Sequence, residues 1–388
     1  MRAVCAGFAA YAAMAATTAR AQAAPPPPLP LPPAITSAAR VAAVPFVAAP
    51  AIPRTVGRLG RKDIGLVINT ADPYSVAVGA YYRQRRGLAP QQVLQVDLPL
   101  RAQLTPAEFA ALQARVNAYF GNPTQALALA WVLPYAVNCN ALTGAMALGF
   151  DATLCEHSCQ RSRPSPMFNS ASTRPWRDHH IRPAMQLAAP SAEAARQLID
   201  RGVAADATLG RRGGATVRAR YLITDDAARN ARVREYPPTG LLRRFGVAIE
   251  VQRVEASDAQ APLLLLQTGQ AQLGDLPRQR WLPGALADHL TSFGGQLDGA
   301  GGQSSAMAWI AAGATASHGS ASEPCAHLQK FPHPQVLLGH YLQGATAIEA
   351  YWKSVAWPQQ SVFIGEPLAA PFAPPSRSAA PSGPPSQR

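Results

Sequence analysis

Residues 63–87 read DIGLVINTADPYSVAVGAYYRQRRG. Asp63 to Thr70 is an apolar, β-branched run of the kind that forms a buried strand. Asp72 then stands where a helix N-cap belongs, with Pro73 at the first helical position. A helix is predicted from Tyr74 to about Arg86, with Gly87 as its stop. The pattern repeats at once: Val93 to Leu98 predicts a strand, and Thr105, Pro106 and Glu108 form a capping box opening a helix to about Gly121. Leu127 to Leu133 predicts a third strand. Two βα units in succession imply an α/β fold with a mainly parallel sheet and right-handed crossovers. Asn69, Thr70 and Asp72 then fall beyond the carboxyl end of the first strand, where such sheets bind ligands. The plainer reading of Asn69 and Asp72 is that they turn and cap the chain.

Further along, Ser191 to Ala205 predicts a helix, and Val217 to Thr224, Val247 to Val254 and Leu263 to Gln267 predict strands. Asp225 and Asp226 are placed to cap a short helix reaching about Glu235. The stretch from Leu282 to Pro334 holds most of the chemistry-bearing residues. Its pattern predicts a helix over Leu282 to Phe293, another over Ser304 to Ala312, a short strand at Ala314 to Ser317, and then a polar loop with His318, Glu323, Cys325 and His327. Helices over Pro334 to Gln343 and Ala345 to Ser354 and a strand over Ser361 to Ile364 complete the expectation. Asn138 to Pro190 is a long irregular excursion rich in Cys, Ser, Pro and Arg, expected to be ordered and to cross the sheet edge.

The N-terminus has the three parts of a secretory signal: Arg2, the apolar run Val4 to Ala16, and a small-residue site at Ala21-Gln22-Ala23. Residues 1–23 are expected to be such a signal and 24–58 a Pro/Ala-rich linker. Residues 59–372 are expected to form one α/β domain, and 373–388 a disordered tail. No stretch is long and apolar enough to predict a transmembrane span in the mature chain. An exported protein, periplasmic or extracellular, is therefore expected.

The formal charge is +13, yet only three residues are lysine (Lys62, Lys330, Lys353). Spread arginines of this kind argue against nucleic acid as partner and leave an acidic polysaccharide as one option. Cys139, Cys155, Cys159 and Cys325 make an even set, which in an oxidising compartment favours disulfides with three possible connectivities. Free thiols, or a zinc site from Cys155, His157 and Cys159 with His179 and His180, are the alternatives; no metal or cofactor is expected.

Two groups could carry hydrolytic chemistry. His318, Glu323 and Cys325 would make a Cys–His pair with an acidic orienter, provided Cys325 is not bridged. Asp288, His289 and Ser292 supply the residue types of a serine triad, without a Gly-x-Ser-x-Gly turn.

The pieces Asn69 to Ser75, Gly79 to Gly87, Pro283-Gly284-Ala285, Gly313 to Ala316 and Phe363 to Leu368 stand in an order that resembles an exported bacterial family found in organisms with exosortase sorting systems. The resemblance spans Asp63 to Phe372 and implies no particular activity. The chain is more distantly similar to the gingipain-type, caspase-like cysteine peptidases. That likeness sets Leu263 to Gly269 as the strand before the catalytic histidine, with Gly269-Gln270-Ala271 where Gly-His-Gly is expected. Leu290 to Gly295 takes the nucleophile turn, with Ser292 near the cysteine position, and Gly313 to Gly319 and Gly365-Glu366-Pro367 fit the remainder. It implies a caspase-like scaffold that lacks the Cys–His dyad. The reading is an exported envelope accessory, non-catalytic or cryptic, on such a scaffold. The rivals are an envelope hydrolase using Cys325 or Ser292 and a binder of acidic polysaccharide.

Overall fold

The computed structural model describes residues 50–375, apart from 212, 255–260 and 275–278. The expected signal segment, most of the linker and most of the tail lie outside the described residues. In chain order the strands are β1 (Ile64–Asn69), β2 (Val93–Val96), β3 (Gln103–Leu104), β4 (Ala126–Leu129), β5 (Ala136–Val137), β6 (Asn140–Ala141) and β7 (Ala184–Gln186). They continue with β8 (Val217–Ile223), β9 (Gly240–Leu242), β10 (Val247–Arg253), β11 (Pro262–Thr268), β12 (Arg280–His289), β13 (Ala316–Ser320) and β14 (Ser361–Gly365). The helices are α1 (Pro73–Arg86), α2 (Pro106–Tyr119), α3 (Leu142–Leu148), α4 (Thr153–Glu156), α5 (Pro175–His179), α6 (Ala192–Ala205), α7 (Met307–Ala312), α8 (Pro334–Leu342) and α9 (Ala347–Ser354).

Eleven strands form one sheet in the order β2-β1-β4-β7-β14-β13-β12-β11-β8-β10-β9. The expected βα units are present. All six residues of β1 are buried, and the Asp72 carboxylate accepts from Tyr74 N at 2.9 Å to start α1. Gly87, at φ 61°, ends it in the left-handed conformation that glycine adopts at least cost. Leu66 and Ile68 face the cluster that includes Val78 and Tyr82 of α1, whereas Val67 faces Phe109, Leu112 and Val116 of α2. Alternate residues of one strand thus meet helices on both faces, which is why β1 reads as a continuous apolar run.

The direction of the strands changes once in the middle. β2, β1, β4, β7 and β14 are mutually parallel, and so are β13, β12, β11, β8 and β10. The two sets meet in the antiparallel pair β13–β14, with Ala316 opposite Gly365 and Ser320 opposite Ser361. The carboxyl ends of β1 and β13 therefore lie at opposite edges. Asn69 and Asp72 are thus on the other edge from the loop of Ser317 to Cys325, where a sheet with every strand parallel would have put them together.

Two expectations are corrected. Residues 282–293 are not a helix: Arg280–His289 is strand β12, between β11 and β13. Leu and Ala favour a helix, but Pro283 and Gly284 interrupt it, and burial between two parallel strands overrides the remaining helical propensity. The Cys-rich excursion does more than cross an edge, since it delivers β7 to the interior of the sheet between β4 and β14. Residues 50–58 are also tied to the domain: Thr55 N donates to Gln343 Oε1 at 2.9 Å, and Gln343 Nε2 to Pro53 O at 3.2 Å.

A buried ion pair locks the end of β14 to two helices. Arg86, at the end of α1, makes a two-pronged contact with Glu366 at 2.9 and 2.6 Å and reaches Asp206, beyond α6, at 2.5 Å. Glu366 is fully buried and presses on Gly202 of α6, where any β-carbon would collide with its side chain. Replacing Glu366 with Gln removes the buried one of the two counter-charges of Arg86 and leaves only the partly exposed Asp206, at a cost of about 3 kcal/mol. Urea unfolding of Glu366→Gln is expected to show that loss; an unchanged midpoint would contradict the role given to the pair.

Candidate functional site

The residues expected to carry chemistry fall at two opposite edges of the sheet, and a third place holds a group of residues that was not expected. At the carboxyl end of β13, Cys325 is bonded to Cys159, and Cys139 to Cys155, with Cα–Cα separations of 5.2 and 5.1 Å. A bridged sulfur has no thiolate, so Cys325 cannot act as a nucleophile in this state. The zinc reading fails for the same reason, as both thiols of Cys155 and Cys159 are bonded elsewhere. Glu323 accepts from Cys325 N at 2.7 Å and so caps its own turn rather than orienting a histidine.

His318 is fully buried on β13, its ring against Phe331 and Phe363. Its Nε2 lies 2.9 Å from Ser361 Oγ. The Ser361 hydroxyl also lies 3.4 Å from Lys330 O. Burial holds the imidazole pKa well below its ordinary value. The pair is a cross-strand hydrogen bond within a closed core.

Asp288, His289 and Ser292 do not form a triad. Side chains alternate along a strand, so Asp288 and His289 project from opposite faces of β12. Asp288 meets the buried Arg232 at 2.5 Å and Gln267 Nε2 at 2.7 Å. His289 receives Trp309 Nε1–H at its Nδ1 (2.9 Å) and donates from Nε2 to Ser304 O (2.9 Å). Both nitrogens are engaged in a neutral ring. Ser292 is partly exposed past the end of the strand, with neither group as a hydrogen-bond partner.

At the opposite edge, the Asn69 side chain accepts from Leu98 N and Ala71 N at 2.9 and 3.2 Å and donates to Leu98 O at 3.1 Å. Thr70 Oγ1 donates to Val96 O at 3.0 Å. With Asp72 capping α1, these contacts shape the turn between β1 and α1.

The third place was not singled out by the sequence. A groove of 930 Å³ has Arg54, Arg211 and Arg244 in its lining, together with Leu209, Phe245 and Phe372. Arg54 comes from the segment docked on α8, Arg211 from the α6–β8 connection and Arg244 from the β9–β10 hairpin. The Arg244 guanidinium lies 5.3 Å from the centre of the Phe245 ring, and Phe245 and Phe372 meet edge to face at 6.3 Å. Arg211 donates to Ala207 O at 2.9 Å. Among the described residues, none of the three arginines has a carboxylate partner and no acidic residue lines the groove. The sequence held a trace of it in the Arg211-Arg212 doublet, but the other arginines are far away along the chain.

Two measurements check this description. The unfolded but unreduced protein is expected to take up no iodoacetamide at Cys139, Cys155, Cys159 or Cys325, and to label at all four after reduction. A Cys325 that alkylates without reductant would restore the thiol reading. Burial lowers the pKa of His289 to about 4 and that of His340 to about 3, against about 6.5 in an unfolded chain. Below pH 6.5 the unfolded state gains protons that the folded state refuses. The stability these neutral rings confer is therefore complete above about pH 6.5 and is lost as pH falls toward 4, at about 1.4 kcal/mol per unit of depression. The denaturation midpoint should fall across that window, and less steeply in His289→Phe; a flat profile would show that these rings are not closed off.

No protein-family model, curated protein or solved structure matches this chain. Its functional reading rests on its own geometry.

Proposed function

We propose that the protein is an exported, non-catalytic accessory of the cell envelope that holds an acidic polysaccharide in the arginine groove. The observation that carries the reading is the trio Arg54, Arg211 and Arg244, which projects into one concavity without a neutralising acid. Guanidinium groups match carboxylates in a planar, two-pronged geometry. The partly exposed ring of Phe245 offers an apolar face against which the C–H face of a sugar can lose water. A single arginine–carboxylate contact at an exposed site is worth at most about 1 kcal/mol. Useful affinity therefore needs several contacts along a chain, which suits a polymer better than a monosaccharide.

The location is supported by the signal-like N-terminus and by two disulfides, which persist in oxidising compartments. No helix among the described residues is long and apolar enough to cross a membrane. The caspase-like likeness belongs to the proposal as well. β11 and β12 are adjacent and parallel, so Gln270 and Ser292 follow neighbouring strand ends, at the positions where the likeness places a histidine and a nucleophile. Neither residue type there supplies the dyad.

Polygalacturonate immobilised on a sensor tests the proposal, with neutral dextran as control. The wild type is expected to bind the polyanion and not dextran, with affinity falling as salt rises. The triple change Arg54→Ser, Arg211→Ser, Arg244→Ser is expected to weaken binding at least about tenfold, some 1.4 kcal/mol, without altering the unfolding curve. Equal binding by wild type and triple variant would remove the groove from the function.

A further inference from the structure

The sheet has a second feature on the face of the molecule formed by β2 and α2, built from different residues. Among the described residues β2 is the terminal strand and pairs only with β1. Val96 O accepts from Thr70 N at 2.8 Å, so the backbone groups of Val96 and Leu94 point toward β1. Those of Val93 and Gln95 point outward, because successive residues of a strand alternate. The outward carbonyl of Val93 is already capped by the Tyr119 hydroxyl at 2.8 Å. Gln95 is left with an N–H and a C=O directed away from the sheet, the pair of groups that an added strand engages.

Two hollows lie along this edge. One, of 510 Å³, is lined by Val93, Leu94, Gln95, Arg115, Ala118 and Tyr119. The next, of 190 Å³, runs past Val96 to Pro99 and shares Arg115. Together they form a track with the edge strand as one wall and α2 as the other, and Arg115 where the hollows meet. Glu108 also lines the second hollow, but it is engaged by Arg101 and by the Thr105 cap. Arg115 has no hydrogen-bond or ion-pair partner among the described residues, and Asp97 stands exposed at the far end.

We propose that this track is a docking site for an extended peptide segment of a protein partner. The segment adds to β2 as a strand through the backbone of Gln95, sets a carboxylate against Arg115 and places a basic residue toward Asp97. Backbone pairing selects the class of ligand. A glycan or a lipid headgroup does not present a donor and an acceptor at the two-residue repeat of a strand, whereas any extended peptide does. The unpaired guanidinium and the apolar floor of Leu94 and Leu112 then choose among peptides. Tyr119 marks where pairing stops. Nothing in this site depends on the arginine groove.

The test uses the full chain and a panel of acetylated, amidated hexapeptides alternating Thr and Val, with Glu placed at each position in turn. Binding is read by isothermal calorimetry and by hydrogen exchange at the Gln95 amide. One Glu register is expected to bind best and to protect Gln95 N–H, and its Glu→Gln peptide is expected to lose at least about tenfold in affinity. Arg115→Glu should reverse the preference in favour of Lys at that position. Gln95→Pro removes the outward N–H without touching the pairing to β1, a change that edge strands tolerate, and should abolish binding. If that variant does not fold, N-methylation of the peptide opposite Gln95 makes the same test. The proposal is overturned if no peptide binds, if Arg115→Glu and the N-methylated peptide behave as the parents do, or if the free protein is a dimer that Gln95→Pro dissolves. That last result would assign the edge to a second copy of the chain.

Discussion

The antiparallel pairing of β13 with β14 is the constraint on which the rest of the structure depends. Without it the chain would hold two parallel sheets, each with a bare edge through the middle of the core. With it, ten strands of two opposed sets share one ladder, flanked by the antiparallel β9. The joint is made tight by small residues. A β-carbon on Gly365 would strike the backbone of Ala316, and one on Gly319 would strike Gly294 beyond the end of β12. Tyr351 of α9 closes the seam from one side, donating to Ala287 O of β12 and lying within reach of Ala316 O of β13 at 3.1 and 3.3 Å. The reversal also separates the two sets of strand ends, so the carboxyl ends of one set lie at the opposite edge from those of the other.

Polar side chains near the seam support this architecture. Along one face, Tyr221, Gln267, Asp288 and His318 occupy paired positions on β8, β11, β12 and β13. Arg232 enters from the 3-10 segment Arg229–Glu235 to neutralise Asp288 and to donate to Thr268 O and Pro332 O. A buried charge of this kind is tolerated only with its partners in place. The same low-polarity surroundings that keep His289 and His318 neutral also keep solvent and substrate from them. Residue types that suggest a hydrolase in a linear sequence are here components of a packed interior.

The two proposed binding features both lie at the surface. The arginine groove collects side chains from the N-terminal segment, the α6–β8 connection and the β9–β10 hairpin. The β2 edge, by contrast, is local to β2 and α2. Two disulfides brace a third region: Cys159–Cys325 ties the excursion to the segment that covers His318, and Cys139–Cys155 closes the excursion on itself. Lys330 reinforces the first of these ties by donating to Ser158 O at 2.6 Å. An accessory that binds a polyanion on one surface and a peptide on another would need a stiff body between them, and the eleven-stranded sheet provides one.

The sequence by itself determined the α/β class and the two βα units with the strand that follows them, β1 to β4 apart from the two-residue β3. The caps at Asp72 and Thr105, the stop at Gly87 and the apolar runs of β1 and β11 are local signals, set by backbone sterics and by the burial of consecutive residues. The cysteine set was legible as disulfides but not as pairs, because connectivity depends on which loops meet. β12 and β7 were not legible. Leu282 to His289 has a composition that suits helix or strand, and Ala184 to Gln186 is too short to show a period. Their state follows from neighbours that fill both sides of them. Tertiary structure alone decided the opposed directions of the two sets of strands, the burial of His289 and His318, and the meeting of Arg54, Arg211 and Arg244. Each of these is a relation between residues far apart in the chain. Strand direction, desolvation and the convergence of charges arise from packing, which no local pattern encodes.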